Sequence, residues 1–112
     1  MRFAVIAILG CIGIGIGCIR AAGQEPANPA PPAVSAHRAL LNQYCVTCHN
    51  EKLRTAELTL DTADINRVPD GQVIWEKVVR KLRTGAMPPA GMPRPNPAAA
   101  NALASYLEKE LD

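Results

Sequence analysis

The stretch Cys45-Val46-Thr47-Cys48-His49 decides how the rest of this chain is interpreted. A C-x-x-C-H run in an exported protein is the pattern of a c-type haem attachment site. Two thiols at this spacing can add to the two vinyl groups of one porphyrin, and the adjoining imidazole is then held where it meets the iron. The sequence therefore predicts one covalent haem c, attached through Cys45 and Cys48, with His49 as an axial ligand.

Two other kinds of site also use closely spaced cysteines. A four-ligand zinc site needs a second pair of ligands, and no Cys or His follows His49 in the sequence. A thioredoxin-like redox pair belongs to a βαβ unit, and the chain shows no such pattern. Both alternatives are therefore weaker than haem attachment.

The N-terminal segment, residues 1–23, has the layout of a secretory signal peptide. An almost unbroken apolar run at residues 3–19 follows Arg2, and Arg20 and three small residues come after it. A basic start, an apolar middle and small residues at the cut are typical of such signals. Cleavage after Gly23 would leave a mature protein in the periplasm or another exported compartment.

Two alternatives would tether the chain to a membrane instead. The apolar run of 17 residues only just reaches the lower end of spanning length, so it could remain as an uncleaved anchor. Lipid attachment at Cys11 or Cys18 is the other possibility. Membrane association is expected only in these two cases.

The mature chain would be close to electrically neutral. The sequence has 12 Lys and Arg against 10 Asp and Glu, and two of the basic residues, Arg2 and Arg20, lie in the predicted signal. All ten acids lie beyond Gly23, so ten basic residues face ten acidic ones. The basic residues are interspersed with acids, which argues against nucleic acid binding.

Residues 24–35 form a predicted linker between the signal and the folded part. This segment is rich in proline and alanine and has almost no large apolar side chain. Such a composition cannot bury enough surface to fold, and its prolines favour an extended spacer.

The first two predicted helices follow the linker. The first begins at Ser35, a good N-cap, and ends at Tyr44, where it delivers Cys45 to the haem. The second is capped by Asp70 and ends at Gly85. Its apolar stripe has a period of 3.6 residues. The residues of this stripe are Val73, Ile74, Val78, Val79 and Leu82.

A third helix is predicted near the C-terminus. Asn96 is its N-cap and Pro97 its first helical residue, and the helix runs to about Leu111. Leu103 and Leu107 face inward and are expected to cross the first helix near the haem.

Three further features are the segment after the haem motif, the single tryptophan and the second histidine. Residues 50–68 are predicted to be irregular, with Leu58 and Leu60 against the haem edge and a possible helical turn near residues 62–66. Trp75 either donates to a haem propionate or packs against a neighbouring helix. His37 is either a solvated surface residue or, if the first helix folds back over the ring, a second axial ligand.

The proline-rich stretch after the second helix holds the candidates for the second axial ligand. Haem iron with His and Met ligands is the electron-carrier arrangement of cytochromes c. Met87 is favoured because prolines stiffen its loop and the 38 positions after His49 let the chain pass round the ring. Met92 competes, since it too precedes a proline, and otherwise serves as loop packing. If neither binds, the iron would be five-coordinate and open to small ligands.

Three classes of function are compatible with such a site. The first is an electron carrier whose basic residues Arg80, Lys81, Arg83 and Arg94 steer an acidic redox partner, unless they are an ordinary solvated face. The second is the electron-entry module of an oxidoreductase whose catalytic part is elsewhere. The third is a gas sensor or peroxidase with a labile Met87. No catalytic acid and base lie over an open site, so no intrinsic enzyme activity is predicted.

Several short motifs resemble the planctomycete-type cytochrome c domain over about residues 40–112. These motifs are Tyr44-Cys45-Val46-Thr47-Cys48-His49-Asn50, Leu58-Thr59-Leu60-Asp61, Trp75-Glu76-Lys77-Val78, Lys81-Leu82-Arg83 and Met87-Pro88-Pro89. By this resemblance Cys45 and Cys48 carry the haem, and His49 and Met87 bind the iron. The expected fold is all-α, a small class I-like cytochrome c domain at residues 36–112 with three or more helices around one haem. In that family the domain usually stands at the front of a longer secreted protein, so this chain is either free-standing or a truncated front end.

Overall fold

The computed structural model describes residues 32–112 of the chain. The predicted signal peptide, the anchor, the lipidation sites and most of the linker lie outside the described residues. Within them the regular secondary structure is helical, which confirms the all-α prediction. Its elements are α1 (Pro32–Tyr44), α2 (Gln72–Arg83) and α3 (Pro97–Leu111), with 3-10 turns at Thr55–Glu57 and Val68–Gly71. None of the helices in this described part is both long and apolar enough to cross a membrane.

Helix α1 begins at Pro32 rather than at the predicted cap Ser35. Proline is tolerated in a first helical turn because the N–H it lacks would have no partner there. Val34, in the added turn, is only 8 % exposed, and burial of its apolar side chain stabilises this turn. The prediction that Ser35 caps the helix is therefore wrong.

The N-terminus of α2 also differs from the prediction. Its N-cap residue is Gly71, which has no side chain to accept a hydrogen bond. Asp70 lies in the preceding 3-10 turn and pairs with Arg67 instead. The prediction that Asp70 caps α2 is wrong because the 3-10 turn places one more residue before the helix.

Helix α2 is terminated, as predicted, by Gly85, which lies two residues beyond the last helical residue, Arg83. This glycine has φ of +68°, in the left-handed region that glycine adopts without steric cost. The N–H of Gly85 donates to the carbonyl of Leu82 at 3.1 Å, and the N–H of Ala86 donates to that of Lys81 at 3.0 Å. These two bonds make a Schellman motif that satisfies the last carbonyls of the helix.

The buried face of α2 is narrower than the predicted stripe. Trp75 is fully buried and Val78 is 7 % exposed, whereas Val73 is 68 % exposed. Trp75 and Val78 are three residues apart and therefore share one side of the helix. The placement of Val73 in the core was wrong. The other predicted stripe residues are half-buried, namely Ile74, Val79 and Leu82.

Helix α3 starts as predicted and provides the centre of the core. The Asn96 side chain accepts a hydrogen bond from the N–H of Ala98 at 2.8 Å, and Pro97 is the first helical residue. Leu103 and Leu107 are fully buried. Helix α3 packs mainly against α2 rather than α1, so the expected crossing with the first helix is a minor contact.

The core joins all three helices with the irregular segment between α1 and α2. One apolar cluster contains Val34, Leu41, Leu60, Ile65, Val68, Trp75, Val78, Leu103 and Leu107. Residues 50–68 are irregular as predicted, and residues 62–66 form turns and bends rather than a helical turn. Arg38 donates to the carbonyls of Leu60 and Ala63 at 2.7 and 3.0 Å, which attaches this segment to α1.

Candidate functional site

A largely apolar cavity of about 530 Å³ opens between the end of α1, one face of α2 and the loop that follows α2. Cofactor pockets in proteins typically have volumes of about 300–1,000 Å³. All four predicted site residues, Cys45, Cys48, His49 and Met87, line this cavity. Residues distant in sequence are thus brought together around one space of the size a cofactor needs.

A tight turn at the end of α1 presents the three N-terminal site residues. The N–H of Cys45 donates to the carbonyl of Leu41 at 2.9 Å, and the N–H of His49 donates to that of Cys45, also at 2.9 Å. Because residues three and four apart lie on one side of a helical turn, Cys45, Cys48 and His49 face the same way. The C-x-x-C-H spacing is explained by this turn.

The imidazole of His49 is oriented by a backbone carbonyl. The ring is 9 % exposed, and its Nδ1 lies 2.8 Å from the carbonyl oxygen of Thr55. A carbonyl oxygen only accepts, so Nδ1 must carry the hydrogen and donate it. The remaining ring nitrogen, Nε2, then has a free lone pair, which is the state a metal-binding histidine needs.

The segment that supplies this carbonyl has an unusual backbone. Arg54, Ala56 and Glu57 have φ values of 48°, 55° and 58°, in the left-handed region that disfavours residues with a Cβ. These strained residues flank Thr55, whose carbonyl accepts the hydrogen bond from His49. We infer that this backbone conformation persists because surrounding contacts hold it.

Asn50 braces the loop between the turn and this strained segment. Its Nδ2 donates to the carbonyl of Val46 at 2.7 Å, and its Oδ1 accepts from the N–H groups of Lys52 and Leu53 at 3.1 and 2.9 Å. The N–H of Leu60 donates to the carbonyl of His49 at 2.9 Å. These bonds fix the chain immediately after His49, and sequence reasoning did not anticipate them.

The two cysteines are free thiols with different surroundings. Cys48 is exposed and Cys45 is half-buried. Burial raises the pKa of the Cys45 thiol to about 11, against a smaller opposing effect of the Arg38 charge. Neither thiol is committed to a disulfide, so both are available for thioether formation.

Two methionines of the loop between α2 and α3, residues 84–96 and hereafter the Met87 loop, line the cavity. Met87 is half-buried, whereas Met92 is 46 % exposed. Pro88, which follows Met87, is buried. The deeper position of Met87 agrees with its ranking over Met92 as the candidate ligand.

The four basic residues proposed for docking have three different environments. Arg80 and Lys81 line the cavity, together with Lys77 one turn earlier on α2. Arg83 instead forms a two-pronged ion pair with Glu108 of α3, with N–O distances of 2.6 and 2.8 Å. Arg94 donates to carbonyls of the Met87 loop. Lys77 was missed by sequence reasoning, although it lies one helical turn before Lys81.

Neither Trp75 nor His37 is among the residues that line the cavity. Trp75 is fully buried, and its indole Nε1 lies beside Gly71 with no hydrogen-bond partner among the described residues. His37 is 9 % exposed and lies against Tyr106 with ring centroids 5.0 Å apart. It is therefore a buried helix contact rather than a solvated surface residue. Residues 32–112 hold no cluster of three or more His, Cys, Asp or Glu side chains suited to a metal ion.

Comparison with known proteins gives one match. The family model described as "Cytochrome C oxidase, cbb3-type, subunit III" matches residues 32–107. This range begins with the first residue of α1 and ends within α3, so it covers nearly all of the helical unit. No curated protein and no solved structure matches the chain significantly.

Proposed function

Because the chain belongs to the cytochrome c family described as cbb3-type cytochrome c oxidase subunit III, we propose that it is a single-haem electron carrier with His49 and Met87 as iron ligands. A cytochrome c domain carries covalently bound haem c, and the iron of that haem supplies one-electron redox chemistry. The function is therefore electron transfer, and the residue roles below are our proposal.

The observation that carries this proposal is the meeting of four side chains at one cavity. Cys45, Cys48 and His49 reach it from the end of α1, and Met87 reaches it from a different element, the loop after α2. The bond from His49 Nδ1 to the Thr55 carbonyl leaves Nε2 for the iron. The donor set, the tautomer and the cavity size all fit a haem.

The protein's own groups have three tasks in this proposal. Cys45 and Cys48 would hold the haem through two thioether bonds, each formed by addition of one S–H across one vinyl group. The Thr55 carbonyl holds the imidazole of His49 in one orientation and makes it a stronger ligand. The apolar lining would exclude water from the haem and would thereby help to keep both ligands in place. Leu58, Leu60, Val78, Leu82 and Pro88 provide that lining.

The test is an absorption spectrum of protein made in a host with haem-attachment machinery. We expect a low-spin spectrum with the weak sulfur-to-iron charge-transfer band. Met87→Ala should abolish this band, and the matched variant Met92→Ala should retain it. A band that survives in Met87→Ala and disappears in Met92→Ala would transfer the ligand role to Met92. High-spin iron that binds carbon monoxide readily in the unaltered protein would favour the sensor alternative.

A second candidate function is the electron-entry module of a larger secreted oxidoreductase. The matching family is described as a subunit of an oxidase, which supports a role within a larger enzyme. The haem motif is common to all c-type cytochromes, so the narrower likeness to the planctomycete-type domain rests on the weaker motifs at residues 58–61, 75–78, 81–83 and 87–89. The family match concerns a different type. Genome context of the reading frame would distinguish a free-standing carrier from such a module.

We also propose that the chain is exported and acts in the periplasm. Cytochrome c domains are typically exported, and residues 1–23 have the composition of a signal peptide. The intact mass of purified protein should correspond to residues 24–112 plus one haem. A mass that retains residues 1–23, or that includes a lipid, would instead show a membrane tether.

A further inference from the structure

The Met87 loop is poor in backbone donors. Proline lacks an N–H, so a proline-rich loop has few backbone donors for its own carbonyl oxygens. The loop has four such residues, Pro88, Pro89, Pro93 and Pro95. A side chain with several donors can supply the hydrogen bonds that the prolines do not and hold this stretch in one conformation.

Arg94 provides these donors from within the same loop. Its Nη2 donates to the carbonyl of Gly85 at 2.7 Å, and its Nη1 donates to the carbonyl of Pro88. Met87 lies between these two carbonyls in sequence. The guanidinium therefore bonds to the backbone on both sides of the residue that carries the candidate thioether.

The two hydrogen bonds of Arg94, to Gly85 and to Pro88, form a bridge across the loop, and both ends of the loop are anchored to helices. Gly85 ends α2 in the Schellman motif described above. Arg94 is followed by the buried Pro95 and by Asn96, the N-cap of α3. The N–H of Met92 donates to the carbonyl of Pro89 at 3.1 Å, which turns the chain back toward Arg94. The loop is thus closed on itself by one side chain.

The chemistry of the bridge requires arginine. A guanidinium has five N–H donors in a fixed planar fork and stays protonated at all relevant pH values. It can bond two carbonyls three residues apart at once, whereas a lysine ammonium is a single point with no fixed fork. Hydrogen bonds from a charged donor are also stronger than those between neutral groups.

We propose that Arg94 is the positioning residue that keeps Met87 at the cavity, and that it thereby controls how readily an external ligand reaches the sixth coordination position. This inference rests on the proposed ligation by Met87. Arg94 itself does not touch the iron site. Its effect passes through the backbone at Gly85 and Pro88, so weakening the bridge should raise the population in which Met87 is displaced.

The test compares four holoproteins, each with covalent haem and full helix content. Arg94→Ala removes the bridge and Arg94→Lys keeps the charge but not the fork. Arg83→Ala is the matched control, because it also removes one arginine and its hydrogen bonds, but these bonds go to α3 rather than to the Met87 loop. The readouts are the sulfur-to-iron band and the affinity of the ferrous protein for carbon monoxide.

We expect Arg94→Ala to bind carbon monoxide roughly tenfold more tightly, or more, since bonds from a charged donor are lost. Its sulfur-to-iron band should weaken, and Arg94→Lys should be intermediate in both respects. Arg83→Ala should match the unaltered protein in both, even if its unfolding midpoint falls. If Arg94→Ala does not retain its fold, Arg94→Lys decides by the same two readouts.

Two distinct failures can be separated. If the unaltered protein lacks the band, ligation by Met87 is wrong and the positioning role falls with it. If the unaltered protein has the band, Met87→Ala loses it, and the Arg94 variants keep both the band and the carbon monoxide affinity, the proposed function stands and the role of Arg94 is refuted. Equal effects of Arg94→Ala and Arg83→Ala would also refute it, because they would reflect lost stability alone.

Discussion

The rings of His37 and Tyr106 lie with their centroids 5.0 Å apart and their planes 34° from each other. This contact joins α1 to α3, and neither residue is among those that line the cavity. The hydroxyl of Tyr106 also donates to the carbonyl of Ile65 at 3.0 Å. One aromatic side chain thus connects the first helix, the last helix and the irregular segment between them.

His37 should make the stability of the protein depend on pH. Burial lowers the pKa of His37 below its ordinary value of 6.5, because the charged form loses hydration. At pH values just below 6.5 the unfolded chain therefore binds more protons than the folded one. The contribution of neutral His37 to folding stability is fully present above the pKa of this residue in the unfolded chain. It is lost as the pH falls through the lower pKa of His37 in the folded chain. Urea midpoints between pH 7.5 and 5 should fall accordingly.

The control for this prediction is His37→Gln, which keeps a polar side chain but cannot titrate. Its stability should change less between pH 7.5 and 5 than that of the unaltered protein. The remaining slope belongs to the other titratable groups of the chain. An unchanged slope in His37→Gln would show that His37 does not contribute.

The ion pair between Arg83 and Glu108 should stabilise the contact between α2 and α3. Hydrogen bonds from Arg83 lower the pKa of Glu108, so this contribution is present above the usual glutamate pKa and is lost as the pH falls through the lowered value. Arg83→Ala should reduce the urea midpoint at pH 7 and leave the haem spectrum unaltered. Removing the exposed pair Arg67–Asp70 through Arg67→Ala should have a smaller effect, since it is a local pair on the surface.

The left-handed backbone at Glu57 should favour glycine over alanine. With φ of 58°, a Cβ at this position costs about 1–2 kcal/mol, although glycine loses some of this gain through unfolded-chain entropy. Glu57→Gly should therefore be about 1 kcal/mol more stable than Glu57→Ala in the free energy of unfolding. At Glu110, an exposed residue of α3, the same comparison should have the opposite sign, because glycine disfavours helices. If the alanine variant is more stable than the glycine variant at both positions, the strained geometry at Glu57 is contradicted.

Gly71→Ala should destabilise the protein, although alanine usually improves on glycine where φ is negative. A Cβ at Gly71 would lie 3.1 Å from the Nε1 and 3.2 Å from the Cδ1 of Trp75. The indole is fully buried and has little room to move, so we expect a loss of about 1 kcal/mol. In a Trp75→Phe background the same substitution should cost less than half as much, measured by a double-mutant cycle. Equal costs in both backgrounds would mean that the indole is not the obstacle.

The cations around the cavity should attract anionic redox partners. Lys77, Arg80 and Lys81 line it, so the double variant Lys77→Gln/Lys81→Gln should slow oxidation of the ferrous protein by ferricyanide several-fold at low ionic strength. High salt should remove most of the difference. The control Lys52→Gln/Lys109→Gln changes the net charge equally at residues outside the cavity lining. Equal rates for both double variants would show that only net charge matters.

Local sequence rules predicted most of the helical framework. Asn96 and Pro97 start α3 and Gly85 ends α2, because each of these positions depends on short-range backbone chemistry. The two errors at helix starts have different causes, one tertiary and one local. Burial of Val34 extends α1 beyond Ser35, and the 3-10 turn before α2 removes Asp70 from its capping position. Neither packing nor a 3-10 turn is visible in the spacing of residue types.

The candidate site was predicted only where it depends on side-chain identity. The C-x-x-C-H stretch and the methionine loop are visible because few residue types can serve there. The partner of His49 is the carbonyl of Thr55, which every residue possesses, so no sequence pattern marks it. Arg83 and Arg94 were grouped with the docking cations because a charge alone does not reveal whether it meets a glutamate, a carbonyl or solvent.

Two aliphatic side chains belong both to the helical core and to the wall of the cavity, namely Leu60 and Val78. They form a shared partition with helix packing on one side and the cofactor's space on the other. Anyone redesigning this protein to accept a bulkier or chemically altered porphyrin would have to start from this partition. Removing atoms from Leu60 or Val78 would enlarge the pocket and would also remove packing contacts from the helical core.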